Sequence, residues 1–219
     1  EMTKAIVKSK LPGAFHYLVT TFFYPPVRKE RTTLLPSILR PEILAAKSEA
    51  GEHLLVYQTM PENKPLLDAL KASGRQCRVY GMRRDIKEDL VEGAITFRPF
   101  SEQTFIDDLR TSRAVIAGGG FTLMSEAVYL RKPMLSVPIE GQFEQVINAL
   151  YLQGLGYGQY TATLDGDSIG AFLEKVPDCE KALQGYSQDG NQLMIAALDE
   201  QLRLALGHKG EDWQDVTQS

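Results

Sequence analysis

Between residues 53 and 153, short apolar runs of strand length alternate with longer segments whose apolar positions recur every three or four residues. The runs "HLLVYQT" (53–59), "QCRVYG" (76–81), "AITFRP" (94–99), "RAVIAG" (113–118) and "PMLSVP" (133–138) predict strands. The segments "ENKPLLDALKAS" (62–73), "SEQTFIDDLRTS" (101–112), 121–130 and "QFEQVINALYLQ" (142–153) predict helices, the first stopped by Gly74. A further helix is predicted over "PEILAAKSEA" (41–50), where Pro41 suits a first helical position and Gly51 closes the segment. Apolar strands alternating with helices mark a parallel sheet covered on both faces. The fold class is therefore α/β, a doubly wound parallel sheet.

Outside this alternation the pattern changes. Residues 16–23 are rich in β-branched and aromatic side chains and predict one strand, ended by Pro25 and Pro26. "TTLLPSILR" (32–40) is expected to be an extended linker, because Pro36 and Pro41 restrict the residues before them. Beyond Gly158 the pattern is helical, ending in the amphipathic "NQLMIAALDEQLRLALG" (191–207), and the polar stretch 208–219 is expected to be a disordered tail. The first forty residues lack the neighbours for a core of their own, and Glu1 precedes Met2. The chain is thus expected to be the C-terminal portion of a longer protein.

At 219 residues the chain can hold one large α/β domain, or one and part of another. Its formal net charge of −4 gives no footprint for nucleic acid, and the basic cluster Arg28, Lys29 and Arg31 is too short to change that. Cys77 and Cys179 stand in no disulfide or zinc spacing, which fits a reducing, cytoplasmic compartment. No apolar run approaches the roughly 18 residues of a membrane span, so a membrane role would be peripheral.

The candidate chemistry starts at Gly118, Gly119 and Gly120, which follow the strand "RAVIAG" and precede a helix. Ligands of doubly wound sheets bind outside the carboxyl ends of the strands. A turn without Cβ atoms lets backbone N–H groups approach an anion, and the helix start adds a favourable field. Thr122 offers a hydroxyl in the first turn, and a diphosphate suits the geometry. The alternative is that the glycines serve only close packing of strand on helix. The turn is neither a Walker loop nor the fingerprint G-x-G-x-x-G. "GLGYG" (154–158) has a superficial likeness to that fingerprint but follows a helix, and is read as a helix stop and turn.

Glu126 stands one turn into the helix, placed to accept hydrogen bonds from vicinal sugar hydroxyls or simply to complement the helix dipole. Glu144 and Gln145 follow the next strand at a helix start, with Asn148 placed to brace the loop. "DGD" (165–167) is read as a turn and cap.

In their order, the glycine turn, Thr122, "SEA" with Glu126, "KPMLSVP", Glu144-Gln145 and Asn148-Ala149 resemble the C-terminal, donor-binding half of GT-B glycosyltransferases. The likeness is to the N-acetylglucosaminyltransferases that complete lipid II in peptidoglycan synthesis, and to related bacterial and archaeal predicted glycosyltransferases. It implies a Rossmann-like half of a GT-B fold. Residues 1–36 would be a remnant of an N-terminal acceptor domain, 37–41 an interdomain linker and 42–207 the nucleotide-sugar donor domain.

The resemblance also implies roles. Gly118, Gly119, Gly120, Phe121, Thr122 and Leu123 would bind the donor diphosphate, with Arg40 and Thr59 as further contacts. Thr59 stands where the family has a glycine-rich turn with a Ser, and the glycines are missing here. Glu126 would hold the ribose, Arg98 and Phe100 the base, and Glu144 with Gln145 the sugar. The donor would be a nucleoside diphosphate sugar, UDP-linked by the family likeness, and the acceptor a hydroxyl of a cell-envelope or lipid-linked glycan. No metal or other cofactor is expected.

No catalytic residue is identified. His16, His53 and His208 are better read as structural or solvated than as general bases. The expected partners are the donor, the glycan acceptor, and the missing N-terminal domain or a partner chain. A noncatalytic nucleotide-sugar binding subunit is the alternative, and an epimerase of related fold ranks lower, since its active-site segments are not recognisable.

Overall fold

The computed structural model describes residues 14–60 and 63–207, so the tail expected at 208–219, with His208, lies outside the described residues. The chain divides into two compact units. One holds the described residues up to Ile38 and those from Asp189 to Gly207, the other the described residues of Leu39–Gln188.

The first unit contains β1 (Tyr17–Thr21) and β2 (Thr32–Pro36), paired in parallel from Tyr17 opposite Thr32 to Thr21 opposite Pro36. The second strand replaces the first half of the expected linker. Its Pro36 comes at the last position, where a missing N–H interrupts least of the ladder.

The second unit runs α1 (Pro41–Ala45), β3 (Leu54–Tyr57), α2 (Lys64–Ala72), β4 (Cys77–Tyr80), β5 (Leu90–Glu92), β6 (Ile95–Arg98), α3 (Glu102–Arg110), β7 (Ala114–Ala117), α4 (Phe121–Tyr129), β8 (Met134–Ser136), α5 (Phe143–Gly154), β9 (Gly158–Tyr160) and α6 (Gly166–Leu183). α7 (Gln192–Ala205) belongs to the first unit. The seven-stranded sheet has the order β5-β6-β4-β3-β7-β8-β9 and is parallel except for β5, which runs against β6. The fold is α/β with the doubly wound, mostly parallel sheet that the pattern predicts.

One sheet face buries Leu54, Val56, Val79, Phe97 and Ile116 against Leu66 and Leu70 of α2 and Phe172 and Val176 of α6. On α3, Phe105 meets the rings of Tyr57 and Tyr80 edge-on, with centroids 6.0 and 5.0 Å away. One turn on, the buried Asp108 accepts from Tyr80 Oη at 2.6 Å, from Arg98 Nη2 at 3.3 Å and from Arg78. Burial, and then Asp108, pushes the Tyr80 phenol up from its ordinary pKa.

α1 ends at Ala45, short of the predicted Ala50. Tertiary partners take the backbone groups a longer helix would use. Glu49 N donates to Arg110 O at 3.0 Å, and Lys132 Nζ donates to Glu49 O at 2.6 Å. β5 and β9 are three residues each, too short for a pattern to register. Gly158 opens β9 as a close approach, since a Cβ there would lie 2.0 Å from Met134 O. The predicted stop at "GLGYG" is met by Gly156, whose φ is +73°. Asp165 caps α6 reciprocally with Ser168, as read for "DGD".

Candidate functional site

Strand order reverses between β3 and β7: from β3 the chain moves out to β4 and β6, and from β7 the other way to β8 and β9. The loops leaving these two strands part in opposite directions, and the crevice between them is where open α/β sheets hold ligands. Two cavities lie there, sharing Tyr57, Gly120 and Leu123 as walls. The larger, about 300 Å³, also takes in Arg40, Phe100, Phe121, Thr122 and Glu126. The smaller, about 170 Å³, takes in Thr59, Gly118 and Gln145.

The three glycines differ in what requires them. None has a positive φ, so space decides and not backbone conformation. A Cβ on Gly119 would stand 2.3 Å from Gln145 O and 2.7 Å from Gln145 C and Cα, so α5 comes too close for any side chain. On Gly118 its one tight contact would be with a side-chain atom, Gln145 Oε1 at 3.0 Å. On Gly120 it would meet nothing within 4 Å.

The turn is tied to the protein through its other polar groups. Ser136 Oγ donates to Gly118 O at 3.0 Å, Asn148 Nδ2 to Gly119 O at 3.0 Å, and Gly119 N to Gln145 Oε1 at 3.2 Å. Asn148 thus braces the turn. Gly120 is the N-cap of α4 and supplies no side-chain cap. The first-turn N–H groups of a helix have no intrahelical acceptor, and with Gly120 open the start of α4 borders the crevice.

Arg40 and Glu126 share the wall of the larger cavity. Arg40 Nε donates to Glu126 Oε1 at 2.8 Å, Nη2 to Oε2 at 3.0 Å, and Nη1 to Glu102 Oε1 at 2.5 Å. The bond to Glu126, more than that to Glu102, raises the Arg40 pKa above its ordinary value.

The remaining sequence candidates are dispersed. Phe100 is exposed on the cavity rim, free to lie against a planar base. Arg98 is engaged elsewhere, with Asp89 at 2.6 Å and with Asp108. It lines a separate hollow of about 500 Å³ beside Arg78 and His53. Thr59 lines the smaller cavity, but its N–H and that of Met60 donate to Gln58 Oε1 at 2.8 and 3.2 Å. Gln145 lines the same cavity, its Oε1 holding Gly119 N and, at 3.1 Å, Ile139 N. Glu144 is exposed beside it and lines neither cavity.

No described histidine lines these cavities. His53 donates Nε2–H to Asp108 O at 2.9 Å, and burial pushes its pKa down, while His16 bonds Thr33 Oγ1 at 2.9 Å. Sequence reasoning missed Tyr57, which walls both cavities from the end of the central strand. Its position at a strand end beside the switch point was the available signal.

The sequence pattern of glycosyl transferase family 1 matches residues 1–177. The chain belongs to that family. An uncharacterized glycosyltransferase of Methanosarcina mazei is 47% identical over 51 residues, which is 23% of this chain and 14% of that protein.

Among solved structures, the glycotransferase of kitacinnamycin is similar with a TM-score of 0.61 at 16% identity, covering 80% of this chain and 50% of that one. The calicheamicin glycosyltransferase CalG4 gives 0.60 at 14% identity, covering 96% and 59%. MurG of Acinetobacter baumannii gives 0.59 at 16%, covering 90% and 63%. At such identities the likeness is one of fold, the GT-B arrangement with its Rossmann-like sheet. The family 1 chain described here spans about half to three-fifths of the length of these structures.

Proposed function

We propose that this family 1 chain is the donor-binding portion of a glycosyltransferase that moves a sugar from a UDP-linked donor to a hydroxyl of a glycan or lipid-linked glycan. The observation that carries this reading is the start of α4, whose N-cap Gly120 supplies no side chain and stands open to the cavity, with Glu126 in the wall of the same cavity. A diphosphate fits the helix start, where the amides would also meet the charge that develops on the leaving group. Glu126 takes the ribose hydroxyls, Phe100 lies against the base, and the sugar reaches toward Gln145 in the smaller cavity. In this reading no metal cofactor takes part, and turnover is unchanged in EDTA. The protein works in the cytoplasm, with at most a peripheral hold on a membrane.

Calorimetry with UDP tests the site. Wild type binds, and Glu126→Ala binds more weakly by about 10-fold or more, as expected when a hydrogen bond to a charged group worth roughly 1.5–3 kcal/mol is lost. A wild-type chain that binds no UDP, or a folded Glu126→Ala variant with unchanged affinity, refutes the assignment.

A second reading is favoured by the placement of the described histidines, His53 on Asp108 O and His16 on Thr33 Oγ1, outside the walls of both cavities. In it the chain is a nucleotide-sugar binding subunit whose catalytic base comes from a partner or a preceding domain. Sugar transfer or donor hydrolysis by this polypeptide alone refutes that reading.

A further inference from the structure

Arg40 and Glu126, 86 residues apart in sequence, meet in a two-point fork: Nε to Oε1 at 2.8 Å and Nη2 to Oε2 at 3.0 Å. The third nitrogen of the guanidinium is taken by Glu102 at 2.5 Å. Every nitrogen of Arg40 therefore faces a carboxylate, and two negative groups surround one positive group. A phosphate approaching this guanidinium would meet both carboxylates and the repulsion they carry.

Glu126 has the opposite need. Its side chain is 4% exposed against 31% for Arg40. A carboxylate that buried is costly unless it is hydrogen-bonded to a partner. The fork supplies one and fixes the plane of the carboxylate, since guanidinium and carboxylate match at two points. Each carboxylate oxygen keeps acceptor capacity beyond its bond to Arg40, enough for one hydroxyl apiece.

We propose that Arg40 is a positioning residue that acts through Glu126, holding its carboxylate to accept the ribose 2′- and 3′-hydroxyls of the donor, and is not itself a phosphate ligand. This rests on the donor-site reading above. It predicts that Arg40 governs discrimination of ribose from deoxyribose. A phosphate ligand would govern affinity for the diphosphate whatever the sugar.

The test is calorimetry of the full chain with UDP, 2′-deoxy-UDP and uridine, on wild type, Arg40→Lys and Arg40→Gln. Wild type should prefer UDP to 2′-deoxy-UDP by about tenfold, for one hydroxyl bond to a charged acceptor. Lysine keeps the charge but has no fork. Arg40→Lys should bring the preference to within about twofold and weaken uridine along with UDP. Arg40→Gln can still donate one hydrogen bond to Glu126 and should retain an intermediate preference; it also carries the test if the lysine variant does not fold.

Equal weakening of UDP and 2′-deoxy-UDP with uridine unaffected marks a phosphate contact and overturns the proposal, as does no change with any of the three. Wild type that binds UDP but shows no ribose preference overturns it too. Wild type that binds no UDP overturns the donor-site reading itself.

Discussion

A methyl group added at residue 119 and one added at residue 120 should have different consequences, though the positions are adjacent. Gly119→Ala places a Cβ 2.3 Å from Gln145 O and 2.7 Å from Gln145 C and Cα. These are backbone atoms in the first turn of α5, so no rotamer change relieves the contact and the turn or the helix must shift. Overpacking of this kind costs roughly 1–3 kcal/mol, and the upper end applies where only backbone can move. The shift also strains the bonds Gly119 N to Gln145 and Asn148 to Gly119 O. Each is worth about 1 kcal/mol. A loss of about 3–5 kcal/mol should lower the melting temperature by roughly 10 °C at 2–4 °C per kcal/mol for a chain of this size.

Gly120→Ala meets no atom within 4 Å, and φ −61° with ψ 126° suits alanine. Losing glycine as the N-cap costs about 0.5–1 kcal/mol, offset by about as much from the stiffer unfolded chain. Its methyl group stands instead in the crevice that both cavities share. The variant should melt like wild type and bind UDP more weakly. Thermal and urea unfolding, then UDP calorimetry, separate the two cases. A Gly119→Ala protein with the wild-type midpoint refutes the steric reasoning, and a Gly120→Ala protein that loses stability instead of affinity refutes the open side of the turn.

Lys132 and Asp108 give two further tests. Lys132 is buried with its Nζ on the carbonyls of Glu49 and Ser112, and burial lowers its pKa from 10.5 to about 8. Between those values the unfolded chain holds the proton more tightly. Lys132 therefore favours the folded state as pH rises from 8 to 10.5, by about 3 kcal/mol, and loses that contribution as pH falls back to 8. The buried Cys77 thiol, pushed up to about 11, works in the opposite sense from pH 9 upward, so the readout is the wild-type stability minus that of Lys132→Met in urea unfolding; parallel curves across pH 8–10.5 would remove the effect. Asp108→Ala removes the buried carboxylate that Tyr80, Arg78 and Arg98 share and should cost about 3–5 kcal/mol in thermal unfolding, while a melting point within a degree of wild type contradicts it.

In the seven-stranded sheet, the strands legible from sequence are those with neighbours on both sides. β3, β4, β6, β7 and β8 lie inside the sheet; β7 and β8 are buried on both faces and β3 nearly so, while β4 and β6 keep their apolar residues mainly on one face, opposite the half-buried Arg78, Thr96 and Arg98. β5 and β9 are its edges and carry three residues apiece, "LVE" and "GQY", which hold no apolar run. β2 was hidden by Pro36, which reads as a break until it is seen to stand last in the strand. Gly118 to Gly120 could be placed at a strand end by pattern alone. The division of tasks among them could not, because it depends on where the backbone of α5 passes at Gln145, 26 residues after Gly119. The engagement of Arg40 with Glu126 was illegible for the same reason.

That division bears on how the site is held. From sequence, Glu144 and Gln145 stand together after a strand and suggest a sugar subsite, with Asn148 placed to brace the loop. In the structure, Gln145 Oε1 and Asn148 Nδ2 clasp Gly119 by its N–H and its C=O, and Ser136 holds the carbonyl of Gly118. With both of these carbonyls turned to protein donors, the turn has little freedom to rotate its peptide planes, and the start of α4 stays at the border of the crevice. A seat fixed in this way incurs its ordering cost during folding and not during binding, which leaves more of the interaction with an anion as affinity. The strand end, the glycine turn and the first turns of α5 therefore act as one unit. Asn148→Ala, by freeing Gly119 O inside the protein, should loosen the proposed diphosphate seat without touching the ligand. If that variant kept the wild-type UDP affinity, the brace would be a feature of packing alone.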